Sequence, residues 1–462
     1  MERTLIGKLA EQVGKTVSIS GYIHVRRDQG KMIFLEIRDM SGIVQGVVLP
    51  NHAEAKAVAE KVRAEWVVRI EGIVNKRPER NIQAGKVNGD IELEVTAVEV
   101  LSAAQDVPFE RGADINLDTY LDYLPLTLRP DKVKAVFKVQ SVIINAFREA
   151  LLKEDFVEIQ APKLIGEDAE GGANSFDLEY FGHTAHLAQS PQFYKQIMVG
   201  VFEKVFTTGN VYRAEKHSTT RHLNEYTSLD AEMGFIKDHT DVMAVENRVL
   251  RHIADKLKET CSAEFALLGA SLPEVPEKIP SMKLRDAQKL ILELHGEDCT
   301  KEPDLEPQHE RWLCEYSKEK FNSDFIFITH FPLAKRPMYT FGDPNDEGYA
   351  NGFDLLFKGI EITTGGQRVH EYEKLVEAIK AKGLNPEKFA FYLQAFKYGM
   401  PPHGGFGMGL ERLTAKFLNL QNVKEASLFP RDINRIDNLL SKPGQGAKSS
   451  DAETIEVLDL EN

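Results

Sequence analysis

The stretch VYRAEKHSTTRHLNEYTSLDAEMGF, from Val211 to Phe235, decides how the larger part of this chain folds. The residues KVFTTGNVYRAE and EYTSLDAEMGF alternate in the manner of strands, which predicts a strand, a loop and a returning strand. Arg213 and Glu215 would then share one face of the first strand, with Arg221 and His222 in the loop.

The charge in this stretch is concentrated between apolar flanks. An Arg side chain suits a phosphate group because its planar fork reaches two oxygens at once. The alternative is a solvated hairpin loop without a function of its own. The rest of the chain has to decide between these interpretations.

Composition narrows the class of protein. The 462 residues are 42% hydrophobic and 28% charged, with a net charge of −14, which is ordinary for a globular chain of two or three domains. Residues 1–100 carry 15 Lys/Arg and 14 Asp/Glu, so the remainder holds the negative charge. We expect no membrane span and no secretory leader, and three widely spaced cysteines favour a reducing cytoplasm.

Residues 16–100 predict a small β-barrel. Five β-rich segments, TVSISGYIHV, MIFLEIRD, GIVQGVVL, EWVVRIEGIV and DIELEVTAVEVL, enclose one helical stretch, HAEAKAVAEKVRA, after the third segment. This order is typical of an oligonucleotide-binding (OB) barrel. Another small β domain that merely pairs with the body is the alternative.

The remainder predicts an α+β body. We expect an OB domain at residues 1–102, a Pro-rich hinge at 103–130 and a larger domain at 131–440, with a disordered acidic tail at 441–462. The larger domain begins with a long amphipathic helix from Lys132 that leads into the strand VEIQAPKLI, which Pro162 interrupts.

Two further segments carry chemistry. In GFDLLFKGIEITTGGQRVHEYEKL, the side chains of Asp354, Glu361 and Thr364 supply hard oxygen ligands of the kind that Mg²⁺ prefers. Arg368 follows two glycines, where backbone approaches a ligand closely; a helix start with Arg368 in a structural ion pair is the alternative. In YGMPPHGGFGMGLERLTAKFLNL, a Gly-rich strand leads into a helix and directs Arg412 toward a flat ligand.

Together the segments resemble the three motifs of class II aminoacyl-tRNA synthetases. Motif 1 would be the helix and strand ending at Pro162, motif 2 YRAE…TRHLNEYTSLDAEM, and motif 3 GFGMGLER. The stretches SPQFYKQ, TTGGQRVHEYEKLVEAIKAKGLNP, YGMPPHGG and ASLFPRD resemble the aspartyl-tRNA synthetases of archaeal and eukaryal type, over about residues 10–437. The resemblance implies an OB-fold anticodon domain, a class II catalytic domain with an antiparallel sheet flanked by helices, and a small insertion at about 255–335.

The resemblance implies an ATP site around motifs 2 and 3. Arg213 would hold the α-phosphate and the substrate carboxylate, Glu215 the adenine, and Arg412 the γ-phosphate. Arg221 and His222 would contact the β- and γ-phosphates. The remaining ATP-binding residues would be Ala214, Leu223, Glu361, Gly409, Leu410 and Glu411. Glu361 and Thr364 would bind Mg²⁺ with Asp354 in support; the family often has Ser where this chain has Thr364.

The amino acid would be L-aspartate. The pocket implied by the resemblance is formed by Glu170, Gln192, Lys195, Arg213, Asp230, Thr364 and Arg368. Lys195 and Arg368 suit a side-chain carboxylate and match a neutral amide poorly. Glu170 would receive the substrate ammonium group, and Asp230 would also touch it. Motif 1 implies a homodimer.

The OB domain would read the anticodon. Phe34 would stack on a base, and Arg27 and Gln45 would bond base edges; core packing is the alternative for Phe34 alone. Aspartate-specific enzymes of this type tend to carry Trp and Lys where this chain has His24 and, in an uncertainly aligned loop, Asn81. Both departures resemble non-discriminating enzymes that charge tRNA(Asp) and tRNA(Asn).

Four other functions compete with this interpretation. A discriminating enzyme would charge tRNA(Asp) alone. An asparaginyl-tRNA synthetase fits Lys195 and Arg368 poorly. A non-catalytic paralogue would usually have lost a motif arginine or a metal carboxylate, which this chain retains. A synthetase-like asparagine synthetase lacks the OB domain.

Overall fold

The protein is described here from a computed structural model that covers residues 2–85, 87–109, 112–167 and 174–440. These residues fall into two compact units that divide between Asp114 and Ile115. The expected acidic tail at 441–462 lies outside the described residues.

The first unit is a closed five-stranded barrel, as the five β-rich segments predict. The strands are joined in the order β1-β2-β3-β5-β4. The strands are β1 Thr16–Asp28, β2 Ile33–Asp39, β3 Gly42–Val48, β4 Val67–Lys76 and β5 Ile91–Ser102. Helix α1, Ala53–Ala59, follows β3, and 3-10 helices span Ile6–Gln12 and Glu79–Asn81.

Alternation along the strands fills the barrel. In β2, Ile33, Leu35 and Ile37 are fully buried while the residues between them are half-buried, because successive strand side chains point to opposite faces. The pairing of β1 with β2 is irregular between Ile23 and Val25, which places His24 at a bulge.

The second unit is built on an eight-stranded sheet. Its strands run in the order β12-β13-β14-β15-β16-β11-β10-β6. These strands are β6 Val157–Glu158, β10 Lys204–Tyr212, β11 Glu225–Gly234, β12 Ser281–Lys283, β13 Phe325–Thr329, β14 Gly352–Phe357, β15 Ile360–Arg368 and β16 His403–Gly409. The six central strands are antiparallel, as expected, but β12 and β6 pair in parallel at the two edges.

A small sheet accompanies it. Strands β7 Leu164–Ile165, β8 Asp177–Tyr180 and β9 His183–Leu187 are joined in the order β7-β9-β8. The predicted strand around Pro162 is therefore two short strands, β6 and β7, in different sheets. Pro162 lacks an N–H group to continue a ladder, which agrees with the break.

Helices cover the large sheet. The helices of this unit are α2 Leu117–Asp122, α3 Leu124–Thr127, α4 Asp131–Leu152, α5 Gln192–Phe202, α6 His239–Thr260, α7 Ser262–Leu268, α8 Leu284–His295, α9 Pro307–Phe321, α10 Tyr372–Ala381, α11 Ala390–Lys397 and α12 Leu410–Phe417. Short 3-10 helices span Leu333–Lys335, Pro386–Phe389 and Val423–Ala426.

The long helix predicted from Lys132 is α4. It packs with α6 against the sheet, where Phe147 meets the rings of Phe206 and Phe406 edge to face at 5.9 and 6.4 Å. The inner face of α6 also buries a carboxyl group, Glu246, whose side chain has no exposed surface. Burial raises the pKa of Glu246 to about 8.

Two predicted regions have more structure than expected. The Pro-rich hinge at 103–130 contains α2 and α3, and Asn116 caps α2 by accepting a hydrogen bond from the Thr119 N–H at 2.8 Å. The expected insertion contains α7, α8 and α9 with strands β12 and β13, which belong to the large sheet. It is therefore part of the core architecture.

All three cysteines are buried and unpaired. Cys261, Cys299 and Cys314 are at most 5% exposed. Burial raises the pKa of each thiol, that of Cys314 to about 12. Among the described residues, every helix falls short of the length and hydropathy that a bilayer-spanning helix needs.

Candidate active site

The loop between β10 and β11 begins earlier than the sequence predicts. Strand β10 ends at Tyr212, so Arg213 and Glu215 lie in the loop, and the expectation of a shared strand face is wrong. The Arg213 N–H still donates to the Asn224 carbonyl oxygen at 2.9 Å, but the next N–H, of Ala214, turns to the Asn174 carbonyl oxygen at 2.7 Å. The ladder therefore stops after Arg213.

A cleft of about 590 Å³, which we call the arginine cleft, opens where this loop faces β15, β16 and α12. Most of the residues predicted for ATP line it: Arg213, Glu215, Arg221, His222, Leu223, Glu361, Gly409, Glu411 and Arg412. Thr364 also lines it. The site residues from three separate sequence segments thus surround one space.

Two predicted residues take no part with their side chains. Leu410 is 1% exposed and belongs to the hydrophobic core beneath the cleft. Ala214 is outside the cleft lining and is fixed by its backbone bond to Asn174. Any role for either residue would have to come from the backbone.

Arg412 connects the two sides of the arginine cleft. Its Nε donates to the Arg221 carbonyl oxygen at 3.2 Å, and its Nη1 donates to the Glu361 carbonyl oxygen at 3.0 Å. The Glu361 carboxylate lies 3.9 Å from the same guanidinium. Burial alone would raise the pKa of Glu361, but Arg412 and the Thr364 hydroxyl hold it below its usual range.

His222 and Glu215 form a pair at the cleft entrance. The His222 Nε2 atom lies 3.4 Å from a Glu215 carboxylate oxygen, and its Nδ1 atom lies 2.6 Å from the Thr219 hydroxyl. Burial lowers the pKa of His222, and the nearby Glu215 opposes that shift.

Glu411 supports the cleft wall. Its two carboxylate oxygens accept hydrogen bonds from the Thr227 N–H at 3.0 and 3.1 Å. Burial raises the pKa of Glu411 to about 7. The contact ties the first turn of α12 to β11.

A second cavity, the outer cleft, continues from the first and holds about 970 Å³. Asp354, Glu361 and Thr364 line it together. The Thr364 hydroxyl donates to the Glu361 carboxylate at 2.7 Å. Oxygen ligands from β14 and β15 are thus presented to one space.

Asp354 has one occupied and one available carboxylate oxygen. Arg336 donates to Oδ2 at 2.9 Å, and Oδ1 is buried with no hydrogen-bond partner within the described ranges. Burial raises the pKa of Asp354 to about 7, although the adjacent Arg336 opposes the shift and Glu361 adds to it. The nearness of Glu361 makes a cation between the two carboxyl groups favourable.

A third cavity of about 1040 Å³, the lysine pocket, lies on the other side of Arg213. It is lined by the predicted residues Gln192, Lys195, Arg213, Asp230, Thr364 and Arg368. Its lining includes five cationic side chains, Lys195, Arg213, Lys335, Arg336 and Arg368, and one acidic side chain, Asp230. Glu232 and Asp354 also pair with these cations, so five cations meet three carboxylates and the excess is two positive charges. This excess favours an anionic ligand.

The floor of the lysine pocket is a buried ion network. Lys195, which is 1% exposed, contacts Asp230 at 3.0 Å, Glu232 at 3.3 Å and the Phe406 carbonyl oxygen at 3.0 Å. Arg368 donates to Glu232 at 2.8 Å. The ion pair that was the alternative for Arg368 therefore exists, within this pocket.

Glycine makes room for the acidic residues of β11. Asp230 pairs with Gly407 and Glu232 with Gly405 across β11 and β16. A Cβ atom at position 405 would lie 2.2 Å from a Glu232 carboxylate oxygen. Only glycine fits there, which gives the Gly-rich strand a steric reason.

Asp230 also keeps one carboxylate oxygen available. Its Oδ1 accepts from Lys195, whereas Oδ2 is buried and has no hydrogen-bond partner in the described part of the chain. A buried acceptor of this kind is costly unless a ligand donates to it. Glu170, the other residue predicted for an ammonium group, lies outside the described residues.

On the barrel, the three predicted base-contacting residues share one face. Arg27 pairs with Phe34 across β1 and β2, and Glu36 pairs with Gln45 across β2 and β3. Arg27 donates to Glu36 at 2.9 Å and to Gln45 at 3.4 Å, and Phe34 is half-buried beside them. This platform combines an aromatic ring with hydrogen-bonding groups, as single-stranded recognition requires.

The two residues predicted to affect tRNA choice occupy irregular parts of the barrel unit. His24 is half-buried at the β1 bulge, and Asn81 ends an exposed 3-10 turn. The Asn81 carbonyl oxygen accepts from Arg77 at 3.4 Å.

Sequence reasoning missed three residues of the site: Glu232, Glu310 and Arg336. Glu232 is two residues from Asp230 on the same strand, so the period of two could have indicated it. Arg336 follows β13 in a loop, and Glu310 lies on α9. Glu310 comes from the segment taken for an insertion and Arg336 directly follows it, and no motif marks either residue.

The three cavities can hold a large anion and an acidic small molecule in contact. Arg213 and Thr364 line all three of them, so ligands held in neighbouring cavities would both be within reach of these two side chains. Cationic side chains from different elements are fixed before any ligand arrives, which is the arrangement that stabilises developing negative charge.

Comparisons with known proteins agree with both units. Residues 116–433 match the family described as "tRNA synthetases class II (D, K and N)", and residues 17–101 match "OB-fold nucleic acid binding domain". The chain is 47% identical over 449 residues to the aspartate–tRNA(Asp/Asn) ligase of Deinococcus radiodurans. It is 44% identical over 442 residues to the enzyme of the same name from Thermus thermophilus. Each alignment covers 94% of this chain and 99% of the relative.

A solved structure of a related synthetase has the same fold as this chain. The crystal structure of asparaginyl-tRNA synthetase from Pyrococcus horikoshii, complexed with asparaginyl-adenylate, matches with a TM-score of 0.87 and 33% identity. The match covers 94% of this chain and 99% of that chain. The fold alone therefore does not distinguish aspartate from asparagine.

Proposed function

The chain belongs to the class II tRNA synthetases for aspartate, lysine and asparagine, and from this premise we propose that it joins L-aspartate to both tRNA(Asp) and tRNA(Asn). It is an aspartate–tRNA ligase that uses ATP. The two bacterial relatives, each covered over 99% of its length, carry the name aspartate–tRNA(Asp/Asn) ligase.

The positive charge of the lysine pocket is the observation that supports aspartate as the substrate. The five cationic side chains of this pocket exceed the carboxylates paired with them, Asp230, Glu232 and Asp354, by two charges, which suits an amino acid with two carboxylates. Lys195 and Arg368 have only donor hydrogens to offer, whereas the side-chain amide of asparagine presents an NH₂ donor of its own. That mismatch disfavours asparagine.

Asp230 would bind the third charged group of aspartate, its α-ammonium group. Its available Oδ2 atom is a buried acceptor within the same pocket, and the α-ammonium group of aspartate is a matching donor. Glu170, by the family resemblance, would be a second partner for this group.

The arginine cleft would hold ATP. We assign the α-phosphate to Arg213, the adenine to Glu215, and the β- and γ-phosphates to Arg221, His222 and Arg412. The common position of Arg213 in all three cavities supports this assignment, because the α-phosphorus must contact the aspartate carboxylate.

Glu361, Thr364 and Asp354 would hold Mg²⁺. Their oxygen atoms are the hard ligands this ion prefers, and the buried, unpartnered Oδ1 atom of Asp354 fits a cation. When bound, the ion would neutralise phosphate charge during the displacement. Arg336 holds the other oxygen of Asp354 and fixes the orientation of its carboxylate.

The reaction proceeds in two displacements. The α-carboxylate of aspartate attacks the α-phosphorus of ATP, and the bond to pyrophosphate breaks. The 3′-hydroxyl of the terminal tRNA adenosine then attacks the carbonyl carbon of the aspartyl-adenylate, and AMP leaves. Positioning and charge stabilisation are sufficient for this chemistry, and no protein nucleophile is required.

A homodimer and a cytoplasmic location complete the proposal. The sheet ends at β6, a short edge strand, and exposed apolar side chains occur there and at the end of α4, at Val157 and Leu152. A second copy of the chain would cover these exposed apolar side chains. The unpaired cysteines favour a reducing compartment.

Charging assays with two transcripts test the proposal. Purified enzyme is given aspartate, ATP and matched concentrations of tRNA(Asp) or tRNA(Asn), with asparagine in place of aspartate as the control. We expect aspartylation of both tRNAs within about tenfold and no asparaginylation, since one tenfold difference corresponds to about 1.4 kcal/mol of discrimination. Charging of tRNA(Asp) alone would establish a discriminating enzyme instead.

A further inference from the structure

Glu310 lies beside the arginine cleft although it belongs to none of the three motifs. It projects from the first turn of α9 and is 6% exposed. It lines the outer cleft together with Arg221, Glu361 and Arg412. The function proposed above gives it no role.

The carboxylate of Glu310 links two site residues. Arg221 Nη2 donates to its Oε1 at 2.9 Å, and the Glu361 backbone N–H donates to its Oε2 at 3.2 Å. Burial raises the pKa of Glu310, and the Arg221 guanidinium opposes this shift. The two hydrogen bonds use both oxygens of a largely buried carboxylate.

These bonds close a ring of four residues. Arg412 donates to the carbonyl oxygens of Arg221 and Glu361, while Glu310 accepts from the side chain of Arg221 and the N–H of Glu361. Arg221 comes from the β10–β11 loop and Glu361 from β15. Removal of Glu310 would open the ring on one side and take away the acceptor of the Arg221 Nη2 hydrogen bond.

We propose that Glu310 is a positioning residue that holds Arg221 and Glu361 in the arrangement that receives the phosphates of ATP. The proposal rests on the function proposed above, in which Arg221 contacts the β- and γ-phosphates. A fixed guanidinium loses less conformational freedom on binding than a mobile one. Glu310 therefore acts on ATP binding through Arg221 and makes no contact with aspartate.

The test is aspartate-dependent ATP–pyrophosphate exchange with Glu310→Gln and Glu310→Asp. Glutamine keeps the shape but replaces one acceptor oxygen by an NH₂ group and removes the charge. We expect Glu310→Gln to raise KM for ATP about 10- to 100-fold, as for loss of charge-assisted hydrogen bonds, and to leave KM for aspartate within about twofold. Glu310→Asp, with its charge retained and its reach shortened, should recover part of the loss. Glu315→Gln, an exposed position on the same helix, is the matched control.

A double-mutant cycle with Arg221→Ala gives a second readout. If Glu310 acts through Arg221, the two substitutions together should cost little more than Arg221→Ala alone. Full additivity would overturn the proposal. The proposal would also be overturned if the wild type shows aspartate-dependent exchange but Glu310→Gln has an unchanged or lower KM for ATP. Absence of aspartate-dependent exchange in the wild type would instead defeat the proposed function.

Discussion

Asp230 faces Gly407 across the pairing of β11 with β16, and a Cβ atom at position 407 would lie 3.0 Å from its Oδ1 atom. The missing side chain leaves the carboxylate open toward the lysine pocket, while Lys195 holds it in place. A glycine on one strand thereby determines what a carboxylate on the next can bind.

Asp230→Asn should therefore weaken aspartate binding specifically. The amide keeps the shape of the side chain but loses the charge that receives an ammonium group. We expect KM for aspartate to rise about 10- to 100-fold in pyrophosphate exchange, with KM for ATP nearly constant. Asp255→Asn, at an exposed position of α6, should change neither value. Equal effects on both substrates would contradict the assignment.

Arg213→Ala should abolish most of the activation step. Arg213 lines all three cavities, so its loss removes positive charge from the place where, in the proposed function, the α-phosphorus and the aspartate carboxylate react. We expect exchange to fall about 10³-fold, as for other single groups that stabilise transition-state charge. The control is Arg251→Ala, exposed on α6. A loss below tenfold would place the reacting atoms elsewhere.

Glu361→Gln should increase the requirement for magnesium. The amide replaces a carboxylate oxygen by a donor, which a hard cation does not accept as a ligand. Titration of Mg²⁺ in the exchange assay should show half-saturation at about tenfold higher concentration or more. Glu377→Gln, exposed on α10, should titrate like the wild type. Identical titration of Glu361→Gln would remove this residue from the metal site.

His24→Trp together with Asn81→Lys should separate the two tRNAs. Both positions belong to the barrel unit, whereas every residue assigned to activation belongs to the second unit, so pyrophosphate exchange should be unaffected. We expect charging of tRNA(Asn) to fall more than charging of tRNA(Asp), by about tenfold, the equivalent of about 1.4 kcal/mol. Equal loss on both tRNAs would contradict a role in discrimination.

Glu246→Gln should stabilise the fold increasingly as pH rises. The usual pKa of this carboxyl group is 4.5, and burial raises it to about 8 in the folded chain. Below pH 4.5 Glu246 is protonated in both the folded and the unfolded state, so its ionisation does not change the free energy of unfolding. Between pH 4.5 and 8 the unfolded state releases a proton that the folded state retains, so the free energy of unfolding falls.

Denaturant titrations at pH 5 and pH 8 measure this effect. The difference in unfolding free energy between Glu246→Gln and wild type should grow by about 2 kcal/mol over that interval, or more. Glu259→Gln, on the exposed face of the same helix, should show little change. A difference independent of pH would mean that Glu246 is ionised in the folded state.

Local pattern predicted most of the elements that carry the site. The alternation in residues 16–100 gave five strands and the helix after the third, and the 3.6-residue period from Lys132 gave α4. The Gly-rich segment gave β16 followed by α12. These elements are long or have strongly periodic hydrophobic residues, because one face of each element packs against the core.

The remaining features depend on contacts between distant residues. Nothing near Arg213 indicates that the ladder ends there, because Asn174 takes the next N–H. Glu310 and Arg336 reach the site only because β12 and β13 join the same sheet as the motif strands. The pairing of Lys195 and Arg368 with Asp230 and Glu232 likewise joins distant segments, because Lys195 lies on α5, Arg368 on β15 and both carboxylates on β11. A charge count along the chain does not reveal it.

The burial of all three native thiols makes the protein suited to site-specific labelling. A thiol reagent attacks the thiolate, and Cys261, Cys299 and Cys314 are both shielded and raised in pKa. A single cysteine introduced at an exposed position would react first, with the native residues left in place. Fluorescent labels on introduced cysteines, one on the barrel and one on the catalytic unit, would then report changes in the distance between the two units when tRNA binds, without replacement of any native cysteine.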